Sequence, residues 1–281
     1  DEMNLFNSSH LFGFFSVFNT DAIKDVKLYK GGIPAEYGGR ISSVLDIHQK
    51  EGNANSYHTS GGIGLISSRL MLEGPLWDKS SFMIAGRRSF GDLFLLLSKN
   101  ESINSSQLHF YDLNMKFNSW LGDKDRFFLS TYSGEDVFKF GSVFHSSWGN
   151  KTLNARWLHL FSDKLVSNLS YNYNKYNYLI SLVYDNRILD WDSKIKNNNF
   201  KYNFSYFHSN THQFMGGVSL NTYHFEPGIV TLSSGSSEFT SIEMRNKFAY
   251  EPAVFIQDQW KISDRLLVKV GLRWSSFYRL G

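Results

Sequence analysis

The sequence predicts an all-β fold, a portion of a transmembrane antiparallel β-barrel, and three observations predict it. From residue 57 onward, strand-like runs alternate apolar and polar residues. These runs reach the about 9–11 residues that a tilted strand needs to cross a hydrocarbon core, where soluble strands usually stop near about 5–6. Short polar turns join the runs at one end, and longer Ser-, Asn- and Gly-rich connections join them at the other.

In chain order, Asp1-Glu2-Met3 has neither a basic stretch nor an apolar one, so the start reads as a mature or internal position. Residues 23–29 set Val26 and Leu28 against Lys27 and Tyr29, as a half-buried strand does. Gly31-Gly32 breaks that strand and Pro34 presets a turn. Gly38-Gly39 is a second break, where a missing Cβ allows positive φ or a close backbone approach. Ile41, Val44, Leu45 and Ile47 form another β-rich run. The polar stretch 51–56 has no periodicity and marks a boundary, giving one domain over 1–52 and another over 53–281.

Beyond it lie about ten strands in hairpins, 62–76 with 81–90, 108–121 with 126–140, 147–161 with 165–184, 194–208 with 212–225, and 247–260 with 265–278. The connections 91–107, 134–146, 185–193 and 227–245 read as long irregular loops. Leu266, Val268, Val270, Leu272 and Trp274 share one strand face, opposite Lys269, Gly271 and Arg273. Leu113, Met115 and Phe117 likewise oppose Asp112, Asn114 and Lys116, and Phe200, Tyr202 and Phe204 oppose Lys201, Asn203 and Ser205. The apolar faces are expected to meet lipid and the polar ones a wet lumen. His159 and Asp258 fit this pattern poorly. Trp77, Trp120, Phe161, Trp260, Trp274 and Tyr278 gather near strand ends, where interfacial girdles form.

Composition removes several classes. With 0 Cys there is no disulfide scaffold, and a net charge of +3 implies no nucleic-acid partner. A mean hydropathy of −0.32 suits a soluble protein and a polar-lumened barrel equally. No Gly-x-Ser-x-Gly elbow, phosphate-binding loop or His-Glu-x-x-His is present, so neither an enzyme nor a cofactor is expected. His208 and His212 flank a turn and read as surface histidines rather than a metal site.

The run Ile-Lys-Asp-Val-Lys-Leu-Tyr-Lys-Gly-Gly-Ile-Pro-Ala-Glu-Tyr-Gly-Gly-Arg, followed by Val-Leu-Asp-Ile, resembles the last part of the plug domain of TonB-dependent outer-membrane receptors. Residues 10–19 also resemble plug sequence. Phe255-Ile256-Gln257-Asp258-Gln259-Trp260 and Gly271-Leu272-Arg273 resemble a mid-barrel hairpin of the same family. Asp46 stands where Asn is commoner, which resembles a branch other than the SusC-type glycan importers.

The resemblance implies about ten strands of a barrel of about 22, preceded by the end of a plug. The chain is then a piece, completed by a remainder or by another polypeptide. It implies residence in the outer membrane of a Gram-negative bacterium, with membrane lipid and the TonB complex as partners and a surface lipoprotein as a further one. By the same resemblance, plug and barrel charges latch the plug in place. The candidates are Glu36, Arg40, Glu73 and Arg87, with Arg40 paired to Glu73, or else these are solvated lumen charges without coupling. Glu135, Asp136, Trp148 and Trp191, with Phe138, Phe140 and Phe239, fall in the long connections and are ligand-loop candidates. The expected function is import of a scarce glycan, peptide or metal chelate through the plugged barrel. The alternatives are a non-transporting barrel serving as surface anchor or assembly component, and a soluble sandwich.

Overall fold

The computed structural model describes residues 2–39, 42–184, 187–234 and 240–280. The first fifty residues carry little regular structure. β1 (Ser9–His10) pairs β2 (Phe15–Ser16) around a single 3-10 turn, and β3 (Ile23–Tyr29) pairs β4 (Val44–Gln49) in a separate hairpin. Of the two reasons expected for Gly38-Gly39, positive φ holds, while the close neighbour is a side chain and not a backbone. Gly39 sits at φ +69°, and a Cβ on Gly38 would lie 2.2 Å from Arg273 Nε.

The later strands join one antiparallel sheet in which chain neighbours are spatial neighbours. They are β5 (His58–Ile63), β6 (Ser67–Pro75), β7 (Ser80–Ser89), β8 (Gln107–Leu121), β9 (Asp125–Phe140), β10 (Phe144–Ser162), β11 (Leu165–Tyr184), β12 (Arg187–Phe207), β13 (His212–Ser234), β15 (Lys247–Ser263) and β16 (Leu266–Ser275). Short β14 (Thr240–Glu243) adds to β13, and β17 (Tyr278–Leu280) adds to β15. All five expected hairpins are present. β5 is additional, since Gly61-Gly62 weakens its strand signal.

The expected loops differ. Residues 134–140 and 144–146 are strand, as are 187–193 and 227–234. Continuous cross-strand pairing overrides the low strand preference of Gly134 and Gly149, which approach so closely that a Cβ on Gly149 would lie 2.4 Å from the Gly134 carbonyl. The asymmetry between the two ends is therefore one of strand length more than of loop length. β7 has 10 residues, whereas β13 has 23. Only 90–106 folds into helical turns, α1 (Gly91–Leu95) and α2 (Glu101–Asn104).

The two sheet faces invert the usual rule. Asp112, Asn114, Lys116, Asn118, Ser130, Asn150, Asn154, Asn172, Asn174 and Asn197 are buried, while Met115, Leu129, Trp157, Leu169, Phe200, Val218, Val254 and Ile256 are exposed. The only buried apolar cluster among the described residues is Ala22 with Met71, Met83 and Ala85. An apolar face that runs unbroken across β8 to β16 suits acyl chains, not water. No described helix is long and apolar enough to cross a membrane.

His159 and Asp258, the two misfits, lie on this outward face near the tight turns, and each has a partner there. His159 Nδ1 is 2.6 Å from Asp125, and Asp258 is 2.8 Å from His212 Nδ1. Trp120 is not a girdle residue, because it turns inward under the Arg126 guanidinium, 5.3 Å away.

The N-terminal segment covers the polar face. It reaches β6 through Asp21 and β16 through Ala35 and Glu36. Laid flat at about 4.8 Å per strand, the path from β6 to β16 would exceed about 40 Å. One short, folded segment touches both ends, as it does when the sheet curls around it.

Val218→Arg should cost about 2–4 kcal/mol of folding stability in lipid vesicles, the range for a cation at the mid-depth of a barrel wall. Ser219→Gln, facing inward at the next position, should fold as the parent does. Equal losses at both positions in denaturant titrations would contradict the face assignment.

Candidate functional site

The chemistry of the fold lies where the N-terminal segment meets the inner wall, and wall cations organise it. Arg69 holds Asp21 at 2.8 Å. Arg126 holds Glu51 at 2.6 Å. Lys201 holds Glu36 at 2.7 Å and Glu2 at 3.5 Å. Arg273 donates to the carbonyls of Ala35 and Glu36, at 3.3 and 3.0 Å. Each of these cations stands on the inward-facing register of its strand, so the alternation that builds the wall also aims the latch.

A second cluster is buried. His10 Nδ1 lies 2.7 Å from Asp136 and its Nε2 3.6 Å from Asp112, and the ring stacks on Phe110 at 4.2 Å. The Leu11 amide donates to the other Asp136 oxygen at 2.7 Å. Arg87 closes the set, reaching Asp112 at 2.7 Å and the Ser16 carbonyl at 2.7 Å. Burial alone pulls the His10 pKa down, but the bonds to Asp112 and Asp136 outweigh it and leave it raised. Burial opposes ionisation of Glu2 and Glu51, yet Lys201 and Arg126 respectively leave both carboxyl pKa values lowered. Burial first, then Glu36 and Asp46, push the Tyr37 phenol up.

Neutral amides complete the interface. Asn150 donates to the Asn7 carbonyl at 2.9 Å, Gln49 to Asn114 at 2.8 Å, and the Ala35 amide to Gln257 at 2.9 Å. Along the wall, Asn199 bonds Asn221 at 2.8 Å and Asn172 bonds Asn199 at 3.3 Å. A cavity of about 490 Å³ remains between segment and wall, with Glu36, Tyr37, Lys201, Tyr223, Glu251 and Arg273 in its lining.

A family model described as TonB-dependent receptor-like β-barrel matches residues 94–281. The chain belongs to this receptor family. No curated protein matches it in sequence. Solved receptor structures share the fold. The copper transporter OprC superposes with a TM-score of 0.72 at 10% identity, covering 95% of this chain and 44% of its own. The ferripyoverdine receptor of Pseudomonas aeruginosa gives 0.67 at 12%, covering 92% and 42%. The siderophore receptor PirA of Acinetobacter baumannii gives 0.68 at 15%, covering 92% and 44%. The chain thus spans less than half the length of these receptors.

Against that frame, Glu36 and Arg87 both reach across the interface, but to partners the sequence did not suggest. Arg40 lies outside the described residues, and Glu73 forms no ion pair with any described residue. Arg69, Arg126 and Lys201 of the wall grip segment carboxylates, the reverse of the expected pairing, while His10 of the segment meets the wall carboxylates Asp112 and Asp136. The sequence did not single out Lys201, Arg126 or Asp112 as contact residues, although their inward register was readable.

Of the ligand-loop candidates, Asp136 is consumed by His10. Trp148 and Phe138 face inward and meet Phe12, at 4.8 and 5.8 Å. Trp191 lies on the same side beside Tyr178, 6.4 Å away, and donates to the Pro227 carbonyl. Glu135 instead turns outward, where the Tyr111 hydroxyl donates to it at 2.5 Å. Phe140 ends β9, and Phe239 lies outside the described residues.

Docking of the segment should have two pH limits. The raised His10 contributes in full below its ordinary 6.5 and is lost as pH rises through its docked value. The lowered Glu2 and Glu51 contribute above their ordinary 4.5 and lose it as pH falls through theirs. Protection of the amides of residues 8–17, taken relative to their intrinsic exchange at each pH, should therefore be greatest between the two, and His10→Gln should abolish only the alkaline arm. Lys201→Met leaves two carboxylates facing each other and should weaken docking by about 3 kcal/mol, read as faster exchange over residues 34–39.

Proposed function

We propose that the chain is part of a TonB-dependent transporter in the outer membrane of a Gram-negative bacterium. Residues 1–52 are the C-terminal part of its plug, and 53–281 the first portion of its barrel. The observation that carries this reading is the lodging of the N-terminal segment against the polar wall by many separate, individually modest hydrogen bonds and ion pairs. A segment glued by apolar packing would resist removal, whereas polar contacts exchange with water at small net cost. The lumen therefore holds a stopper that a pull can displace, which suits energised import through the TonB complex. The open edges β5 and β16 support a barrel closed by further strands, because exposed ladders do not persist in lipid.

Ligand enters at the end carrying the longest strands. There Phe12 of the plug meets Phe138 and Trp148 of the wall, with Tyr178 and Trp191 beside them. The solved neighbours include a copper transporter, a ferripyoverdine receptor and a ferric citrate transporter. A metal chelate fits an aromatic rim of this kind, and a glycan or peptide fits it too.

Cysteines at Ala35 and Gln257, joined by a short cleavable bismaleimide in the full receptor, should stop uptake while leaving ligand binding intact, and cleavage should restore it. Uptake that persists through the cross-link would overturn displacement of the segment as the route, and a parent receptor with no uptake would instead favour a barrel that anchors or assembles surface proteins. Trp148→Ala should weaken ligand binding by about 1 kcal/mol, the scale of one aromatic contact, with barrel folding unchanged in a heat-modifiability gel.

A further inference from the structure

The outward face holds a feature that the import mechanism does not use. Lys151 on β10 stands directly opposite Lys175 on β11, and Lys175 stands directly opposite Lys196 on β12. Three adjacent strands thus set three lysines in one row, their backbone positions within about 10 Å from first to last. All three share the strand face of Leu153, Leu169 and Phe200, which are exposed. The row toward the tight turns holds Leu153, Tyr173 and Asn198, and below it the face is apolar. The lysines therefore mark the edge of the lipid-facing band, on the side of the long strand extensions.

Like charges placed directly opposite destabilise a sheet, and the protein relieves only part of this row. Lys196 pairs with Glu226, and Lys194, one step further out, pairs with Asp192 at 2.6 Å. Lys151 and Lys175 have no ion pair among the described residues. They are held beside a membrane at the depth where lipid phosphates lie, and cations near such a surface are attracted to them.

We propose that Lys151, Lys175 and Lys196 form a binding site for the phosphate groups of outer-leaflet glycolipid. The inference rests on the outer-membrane reading above and adds an immobilised lipid to the receptor's partners. Two ammonium groups on neighbouring strands flank one phosphate, and the third lysine, shared with Glu226, reaches the next. The continuous apolar face below takes the acyl chains of the same molecule.

The test uses the full receptor extracted from outer membranes into detergent and mixed with diphosphorylated lipid A, with bound lipid counted by native mass spectrometry. At about fivefold per lysine near a charged surface, Lys151→Gln with Lys175→Gln should lower lipid affinity about 25-fold. Lys124→Gln with Lys164→Gln removes the same charge at the opposite rim and should bind as the parent does. Arginine at 151 and 175 should restore binding. Retention of lipid A by the 151/175 glutamine variant, or equal binding of dephosphorylated lipid A, overturns the site. Recovery of the parent receptor in the buffer-soluble fraction would overturn the membrane reading itself, and the site with it.

Discussion

The structure depends on strict two-residue alternation held through strands of up to 23 residues. A slip of one residue on β12 would turn Lys201 and Asn199 toward lipid and bring Phe200 and Tyr202 into the lumen. In a soluble sheet such a slip costs core packing. Here it would also break the latch, because Lys201 must face inward to meet Glu36 and Glu2. Register, membrane fit and plug retention are one constraint seen from three sides. The tight turns that close each hairpin pin the register at one end, and the long extensions lengthen the ladder that resists slippage at the other.

That constraint explains which parts were legible beforehand. Hairpins, faces and the Gly38-Gly39 break follow from local chemistry, so they could be read residue by residue. Lys201, Arg126 and Asp112 lie on faces that were also readable, yet nothing local says which plug group each will meet. Partners such as Glu36 and Lys201 are 165 residues apart. Glu36 was thus legible as a residue of the contact, but its mate was not. The strand extensions were misjudged for a related reason. Gly134 and Gly149 lower local strand preference, and only the neighbouring strand, already in register, carries the pairing through them, whereas at Pro227 the ladder shifts register and then resumes. Glu135 and Asp136 show the finest grain of the problem, since adjacent residues in an expected loop become opposite faces of a strand.

The reversed charge polarity has an energetic consequence. A buried ion pair returns little net stability, because both partners lose water, but removing one partner leaves an uncompensated charge. Placing the cations on the wall keeps the costly half of each pair on the rigid element. When the segment leaves, Arg69, Arg126 and Lys201 stay fixed by their strands and face lumen water. The departing carboxylates carry their charge into solvent on a flexible chain. Both halves can then be rehydrated without rearranging the wall, as the release and return proposed above require.

The wall also addresses the segment's backbone, not only its side chains. Arg87 reaches the Ser16 carbonyl, Lys116 that of Gln49, Asn118 that of Glu51, Asn150 that of Asn7, and Arg273 those of Ala35 and Glu36. The segment has few ladder bonds of its own, so its carbonyls need partners from elsewhere. A regular domain would satisfy them internally and present a closed surface to the lumen. An irregular one leaves them for the wall donors, so that the barrel completes the fold of its own stopper. On the reading proposed above, the segment is ordered by docking and loosened by undocking, and a pull that breaks a few wall contacts also removes what keeps the next stretch of backbone folded.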